Sequence, residues 1–258
     1  MLGAALVAIV LLAGGVGPAL ATRDPLAVDG PSLARPSWTH PMGTDALGRD
    51  TFTGVLHGVR TSMLVALSVA AIVVVLGMII GMVAGYRAGR IDDVLMRATE
   101  FVQVIPRFFL AIVVVALFGS GLDRLVLVLG LTSWPLLARV VRAEVLSLRE
   151  REFVEAARAD GAGGLRIVVR ELLPNVIPAA AVTVGLIAAQ VMLVEAGLSF
   201  LGLGDPNVVS LGYLASQGQD LLRVAWWVPI SPGLAIVFAV LGFNLLGDAF
   251  TGALGGRR

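Results

Sequence analysis

The sequence predicts an all-α integral membrane protein with about six transmembrane helices, and three observations carry that reading. First, a 258-residue chain that is 57% hydrophobic and 14% charged, with a mean hydropathy of +0.92, holds more apolar surface than one soluble core can bury. Second, its apolar runs are long and continuous. Crossing a hydrocarbon layer of roughly 30 Å takes about 20 such residues in a helix, and only a helix or a closed barrel satisfies its own backbone in lipid. Third, short glycine-containing or charged turns separate most of the runs, and their length and continuity make them helices instead of barrel strands.

The first run, Leu2 to Ala21, ends in the small-x-small form of a signal-peptide cleavage site at Ala19-Leu20-Ala21. No positive residue precedes it and it is long enough to span, so residues 1–22 are read as a retained first helix. Residues 23–60, rich in Pro, Gly and Asp, read as an extramembrane loop. A core over 61–250 then holds five further spans: Ser62 to Gly85, Val102 to Phe118, Leu122 to Ala138, Val176 to Ala196 and Val228 to Leu246. A charged loop over 139–175 divides the fourth span from the fifth, and residues 251–258 form a tail. Gly77, Gly81 and Gly85 fall on one helical face, which permits close helix packing.

Arginine placement orients the chain, because short loops rich in positive charge stay in the cytoplasm. The loop over 139–175 carries Arg139, Arg142, Arg149, Arg151, Arg158, Arg166 and Arg170; placing it inside also places Arg87, Arg90, Arg97, Arg257 and Arg258 inside. Arg23, Arg35, Arg49, Arg60, Arg124 and Arg223 then fall outside, and twelve against six puts both termini in the cytoplasm. Every basic residue is an arginine and the net charge is only +1, which argues against nucleic-acid binding. Without lysine there is no phosphate loop ending in Lys-Ser or Lys-Thr, and without cysteine there is no thiol nucleophile, disulfide or thiolate metal site. Both histidines fall in the outer loop, so an intramembrane enzyme lacks its base, and no two related halves favour a secondary transporter.

Within the charged loop, Glu152 to Gly161 reads as a short helix ended by glycine. Phe153, Val154 and Ala157 share one face beside a charged flank, with nothing obvious in the chain to cover them. Such a helix suits a partner's groove or the lipid headgroups. Gly161 permits a left-handed turn, and Pro174 and Pro178 punctuate the start of the next span.

Glu155, Ala156, Ala157, Gly161, Leu173 and Pro174 resemble the cytoplasmic signature of ABC importer permeases at its spacing, with Glu171 standing where that pattern usually has isoleucine. The resemblance extends over nearly the whole chain. His40 to Asp45, Leu47 to Asp50, Gly58 to Ser62, Asp92 to Arg97, Glu195 to Gly204 and Phe243 to Asp248 are similar to the C-type subunit of dipeptide, oligopeptide and nickel permeases. It implies a type I ABC importer permease fold in the bacterial inner membrane, with a translocation path for peptides or related small solutes. It implies as partners a second permease, two ATPases and an extracytoplasmic solute-binding protein, the membrane lipid apart. No cofactor belongs to this chain; ATP and Mg belong to the ATPases. It also implies ATPase coupling through Phe153, Val154, Glu155, Ala156, Ala157, Gly161, Leu173 and Pro174.

Other polar residues carry weaker expectations. Gly43, Thr44, Asp45, Arg49 and Asp50 sit on the delivery side as candidate partner contacts, although Asp45 and Asp50 more readily cap a helix starting near Thr51. Glu195, Asn244 and Asp248 are candidate gate or pathway residues; Glu195 is read as reaching the outer interface, and Asn244 with Asp248 as helix packing. Arg107 is expected to snorkel or to pair with Glu100, His40 to hydrogen-bond within its loop, and Trp226 and Trp227 to anchor at the interface or to pack.

Overall fold

The computed structural model describes residues 24–255, with isolated positions 14, 15 and 17 ahead of them. The predicted first span, Leu2 to Ala21, therefore lies outside the described residues. Eight helices follow: α1 (Thr51–Arg87), α2 (Gly89–Val104), α3 (Arg107–Phe118), α4 (Leu122–Leu148), α5 (Glu152–Ala159), α6 (Gly164–Phe200), α7 (Leu211–Gly218) and α8 (Trp227–Gly255). Among the described residues, α1, α4, α6 and α8 are long and apolar enough to cross a membrane, and α2 with α3 makes a fifth crossing if the bent pair is one span.

That bent pair corrects the predicted span Val102 to Phe118. Its two halves meet at 70°, with Ile105 extended at φ −77°, ψ 117°. A proline crowds the residue before it out of the helical region, and Pro106 does so to Ile105. Arg107 then donates to Ser133 Oγ at 3.3 Å, so its partner is on α4 and not Glu100.

Three predicted boundaries also move. Asp50 caps a helix at Thr51, as expected, but that helix runs unbroken into the span placed from Ser62, because Val55, Val59 and Met63 recur one turn apart into a protein-covered core. Helix α4 runs on to Leu148, through a stretch read as loop. Val141, Val145 and Leu148 are buried along one side of that stretch while its arginines lie on the other, an amphipathic pattern that a search for uniformly apolar runs passes over. Helix α8 reaches Gly255, into the predicted tail.

Helices α1 and α4 form the central pair. A Cβ on Gly77 would sit 2.8 Å from Leu137, one on Gly81 2.6 Å from the Ala138 carbonyl oxygen, and one on Gly85 2.7 Å from Val145. The predicted glycine face is thus the seam against α4, and Gly130 returns the arrangement by leaving 2.7 Å for Ile72. The main core fills the space between α1, α4 and α6, while a second cluster joins the start of α1 to α6, α7 and α8.

Candidate functional site

Helix α4 carries α5 as an outrigger. Arg149 caps α4 by donating its backbone N–H to the Val145 carbonyl, and Arg151 N–H reaches Leu148 O at 3.0 Å, turning the chain sharply into α5. At the far end Gly161 has φ +77°; its N–H bonds Arg158 O and the Ala162 N–H bonds Ala157 O, each at 3.0 Å. That pair of bonds is a Schellman stop, which requires the left-handed residue the sequence reading assigned to Gly161. A Cβ at Gly161 would meet nothing within 4 Å, so the constraint there is backbone conformation and not space.

The face of α5 differs from its expected exposure. Val154 is 0% exposed and Ala157 is half-buried, and both pack on the main core beside Ile167 and Leu172. Their own chain covers the stripe expected to be bare. Phe153 is 39% exposed, and Glu152, Glu155 and Ala156 are exposed with it. A concavity beside this face is lined by Leu148, Glu150, Arg151, Glu152, Phe153 and Asn175. One short helix thus has an anchored side and a presented side.

Beyond Gly161, α6 opens with a π-helical turn over Ile167–Leu172 ahead of Pro174. Proline has no N–H for the ladder and its ring crowds the preceding turn, and a widened turn accommodates both. Leu173 is half-buried against the core, whereas Pro174 is exposed. The Asn175 side chain donates to the Glu171 carbonyl at 2.6 Å, serving an acceptor in the disturbed turn.

Ion pairing stiffens this end. Arg142 grips Asp92 through two bonds, Nε to Oδ1 at 2.5 Å and Nη2 to Oδ2 at 2.6 Å, tying α4 to α2. Arg139 donates to Gln103 Oε1 at 2.9 Å, and Arg149 to the Gly85 carbonyl at 3.2 Å. Asp92 stands out within its sequence motif, but nothing in the sequence marks Arg142 as its partner. Fifty residues separate the two, and no spacing rule links residues on different helices.

At the opposite end, the motif over residues 40–50 folds onto itself. Thr44 is 0% exposed: its hydroxyl donates to Pro31 O at 2.6 Å and accepts from Ala34 N–H at 2.8 Å, while its carbonyl accepts from Trp227 Nε1 at 3.2 Å. Gly43, at φ +68°, has no room for a side chain, since a Cβ would lie 2.6 Å from both Ala34 O and Trp227 Nε1. Asp45 accepts from the N–H groups of Leu47 and Arg49 at 2.8 and 2.9 Å. Asp50 caps α1 by accepting from Thr53 N–H at 2.9 Å and Thr53 Oγ1 at 2.7 Å, and it pairs with His40 Nδ1 at 2.9 Å. Burial pushes the Asp50 carboxyl up, but the bonds from Thr53 and His40 outweigh it and hold the group below the usual aspartate range. Of the five candidate contact residues, Gly43, Thr44 and Asp50 are buried; Asp45 and Arg49 are half-buried. Trp227 is buried packing and Trp226 is 55% exposed beside it.

Glu195 corrects the interface reading. It is 0% exposed inside the bundle, accepting from Ser62 Oγ of α1 at 2.7 Å and from Ser199 Oγ at 2.8 Å. The serines supply donors that a buried carboxyl needs, and the Ser62 bond pins α1 to α6. Asn244 is half-buried on α8; the side chain of Asp248 lies outside the described residues. Among the described residues, no group of three acidic or histidine side chains is placed to hold a metal ion.

Comparison with known proteins bears on this arrangement of four long spans, a bent pair and a short charged helix. The family described as "Binding-protein-dependent transport system inner membrane component" matches residues 77–258. A Brucella suis protein named as a peptide transport system permease is 38% identical over 258 residues, covering 99% of this chain and 87% of that protein. A Sinorhizobium fredii protein named as a peptide ABC transporter permease is 39% identical over 251 residues, covering 93% and 86%. Among solved structures, an inward-facing form of the MetNI methionine ABC transporter superposes with a TM-score of 0.66 at 20% identity, over 78% of this chain and 95% of that one, and so shares the fold. The chain belongs to the binding-protein-dependent inner membrane component family, and it is a transmembrane permease subunit of an ABC importer.

Proposed function

We propose that this subunit forms, with a second permease, a path for peptides or related small solutes across the bacterial inner membrane, and that α5 is its coupling helix to one of two ATPases. The single observation that carries the coupling role is the two-sided build of α5: Val154 fixed in the core, Phe153, Glu152, Glu155 and Ala156 presented outward. A helix held this way moves with the bundle and still offers a surface to a groove. ATP and Mg are then held by the ATPases, and this chain's residues contribute only position. The arginine distribution supports placing α5 and both termini in the cytoplasm. The peptide assignment rests on the names of the relatives at 38% and 39% identity.

The mechanism follows from which parts are joined. When the ATPases close, a push on Phe153 and its neighbours passes through Val154 into the packing between α4 and α6. The Arg142–Asp92 pair carries it to α2, and the glycine seam carries it to α1. The spans then rock between outward and inward openings as packed bodies.

The test is co-purification of the ATPases with a tagged permease. Glu155→Ala should lower their recovery in a salt-sensitive way, since it removes a charge at the docking edge without changing the backbone. Phe153→Ala should lower recovery at every salt concentration. Recovery unchanged in both variants would remove α5 as the docking element.

A further inference from the structure

On the α5 end of the bundle, a separate groove runs between the last turns of α1, the first turn of α2 and the start of α6. Val83, Tyr86, Arg87, Ile91, Leu165 and Val168 line it. Its apolar wall is open, with Val83 41%, Ile91 42% and Leu165 79% exposed. At its polar rim stands Arg87, in the last turn of α1, making no hydrogen bond or ion pair among the described residues. Arg90 lies one turn of chain further on, also exposed and without a carboxylate partner among them. Asp92 is already held by Arg142, and the exposed Asp93 beside it makes no ion pair with either rim arginine. Gly164 leaves 3.0 Å between its would-be Cβ and the Tyr86 hydroxyl, so the phenol end of that ring packs closely against the start of α6.

An apolar wall ending in unpaired guanidinium groups and a phenol is complementary to an amphiphile with an anionic head. It stands where a membrane span gives way to its charged loop. We propose that this groove binds one anionic phospholipid of the cytoplasmic leaflet, its phosphate on Arg87 with Tyr86 beside it and its first acyl carbons along Val83, Ile91 and Leu165. A guanidinium matches a phosphate with two parallel bonds, and an arginine near an anionic membrane surface favours such lipids. The leaflet, though not the site, rests on the orientation proposed above.

The experiment weighs the whole importer, permeases with ATPases, by native mass spectrometry after incubation with phosphatidylglycerol or phosphatidylcholine. Wild type should retain phosphatidylglycerol over phosphatidylcholine, and excess inorganic phosphate should not displace it. Arg87→Gln should lower that retention about fivefold while Arg87→Lys keeps most of it. Arg223→Gln, an exposed arginine remote in sequence, should change nothing. Equal retention of the two lipids, or undiminished retention in Arg87→Gln, overturns the site. Displacement by phosphate would make it a free-anion site, and loss of ATPase subunits from Arg87→Gln with lipid unchanged would make it a protein contact; either overturns the lipid. Orientation is read separately by an impermeant thiol reagent on Ala162→Cys: labelling from outside intact membranes would reassign the leaflet, whatever the lipid retention shows.

Discussion

Two segments of this chain are equally dense in motif residues and put them to opposite uses. In the loop ahead of α1, Gly43, Thr44 and Asp50 turn inward and satisfy one another, the start of α1 and Trp227. In the loop between α4 and α6, one residue, Val154, turns inward and its neighbours Phe153, Glu155 and Ala156 face out. A motif therefore marks a constraint without saying on which side of the surface it lies. Burial separates the two cases: the first is scaffold, the second an anchored helix with a presented surface.

The sharpest way to break the comparison is to overfill the scaffold. Gly43→Leu places a Cβ 2.6 Å from two neighbours at a positive φ, and strain with overpacking should cost about 3 kcal/mol. Thermal unfolding in detergent should show a large fall in midpoint; a wild-type midpoint would mean the loop is softer than its packing implies.

A smaller effect is expected from removing the anchor of that helix. Val154→Ala leaves a cavity beside Ile167 and Leu172 worth about 2 kcal/mol. Hydrogen exchange should quicken across α5 while α1 and α4 stay protected, and solute uptake should fall. Faster exchange throughout the bundle would show that α5 is part of the core and not a body hung on it.

The smallest effect is a pH dependence confined to the loop ahead of α1. Because the folded state holds the Asp50 carboxyl below its ordinary value, its contribution is fully present above about pH 4 and drains as pH falls through the lowered value. Asp50→Asn should remove that part of the acid sensitivity. An unchanged acid profile in the variant would assign the sensitivity to other carboxylates.

What could be read from the sequence follows the same division. The apolar runs gave away four of the spans, because lipid demands an unbroken stretch of a fixed length. The glycine face of α1 and the stop at Gly161 were readable because each is a local backbone or packing requirement. The Asp50 cap and a helix start near Thr51 were readable too, but the continuity of that helix with the span and the late end of α4 were not, since protein and not lipid covers those turns and tolerates a polar face. Glu195 was misplaced for a related reason. Its position near a span end says interface, and only the fold brings Ser62 from another helix to receive it. The covering of Val154 likewise depends on a turn of α6 that no periodicity within α5 announces.

If α5 transmits motion because Gly161 fixes its angle against α6, uptake through the reconstituted importer, normalised to permease content, depends on the backbone at that residue. Gly161→Val and Gly161→Asn add side chains where no atom lies within 4 Å of the Cβ, so they differ chiefly in tolerance of the left-handed backbone. Asparagine visits that region and valine does so only at a cost of about 1–2 kcal/mol. Both variants should show normal content, with near wild-type uptake for Gly161→Asn and uptake at least several-fold lower for Gly161→Val. Wild-type uptake by Gly161→Val, with normal solute-stimulated ATP turnover, would remove α5 as the mechanical link.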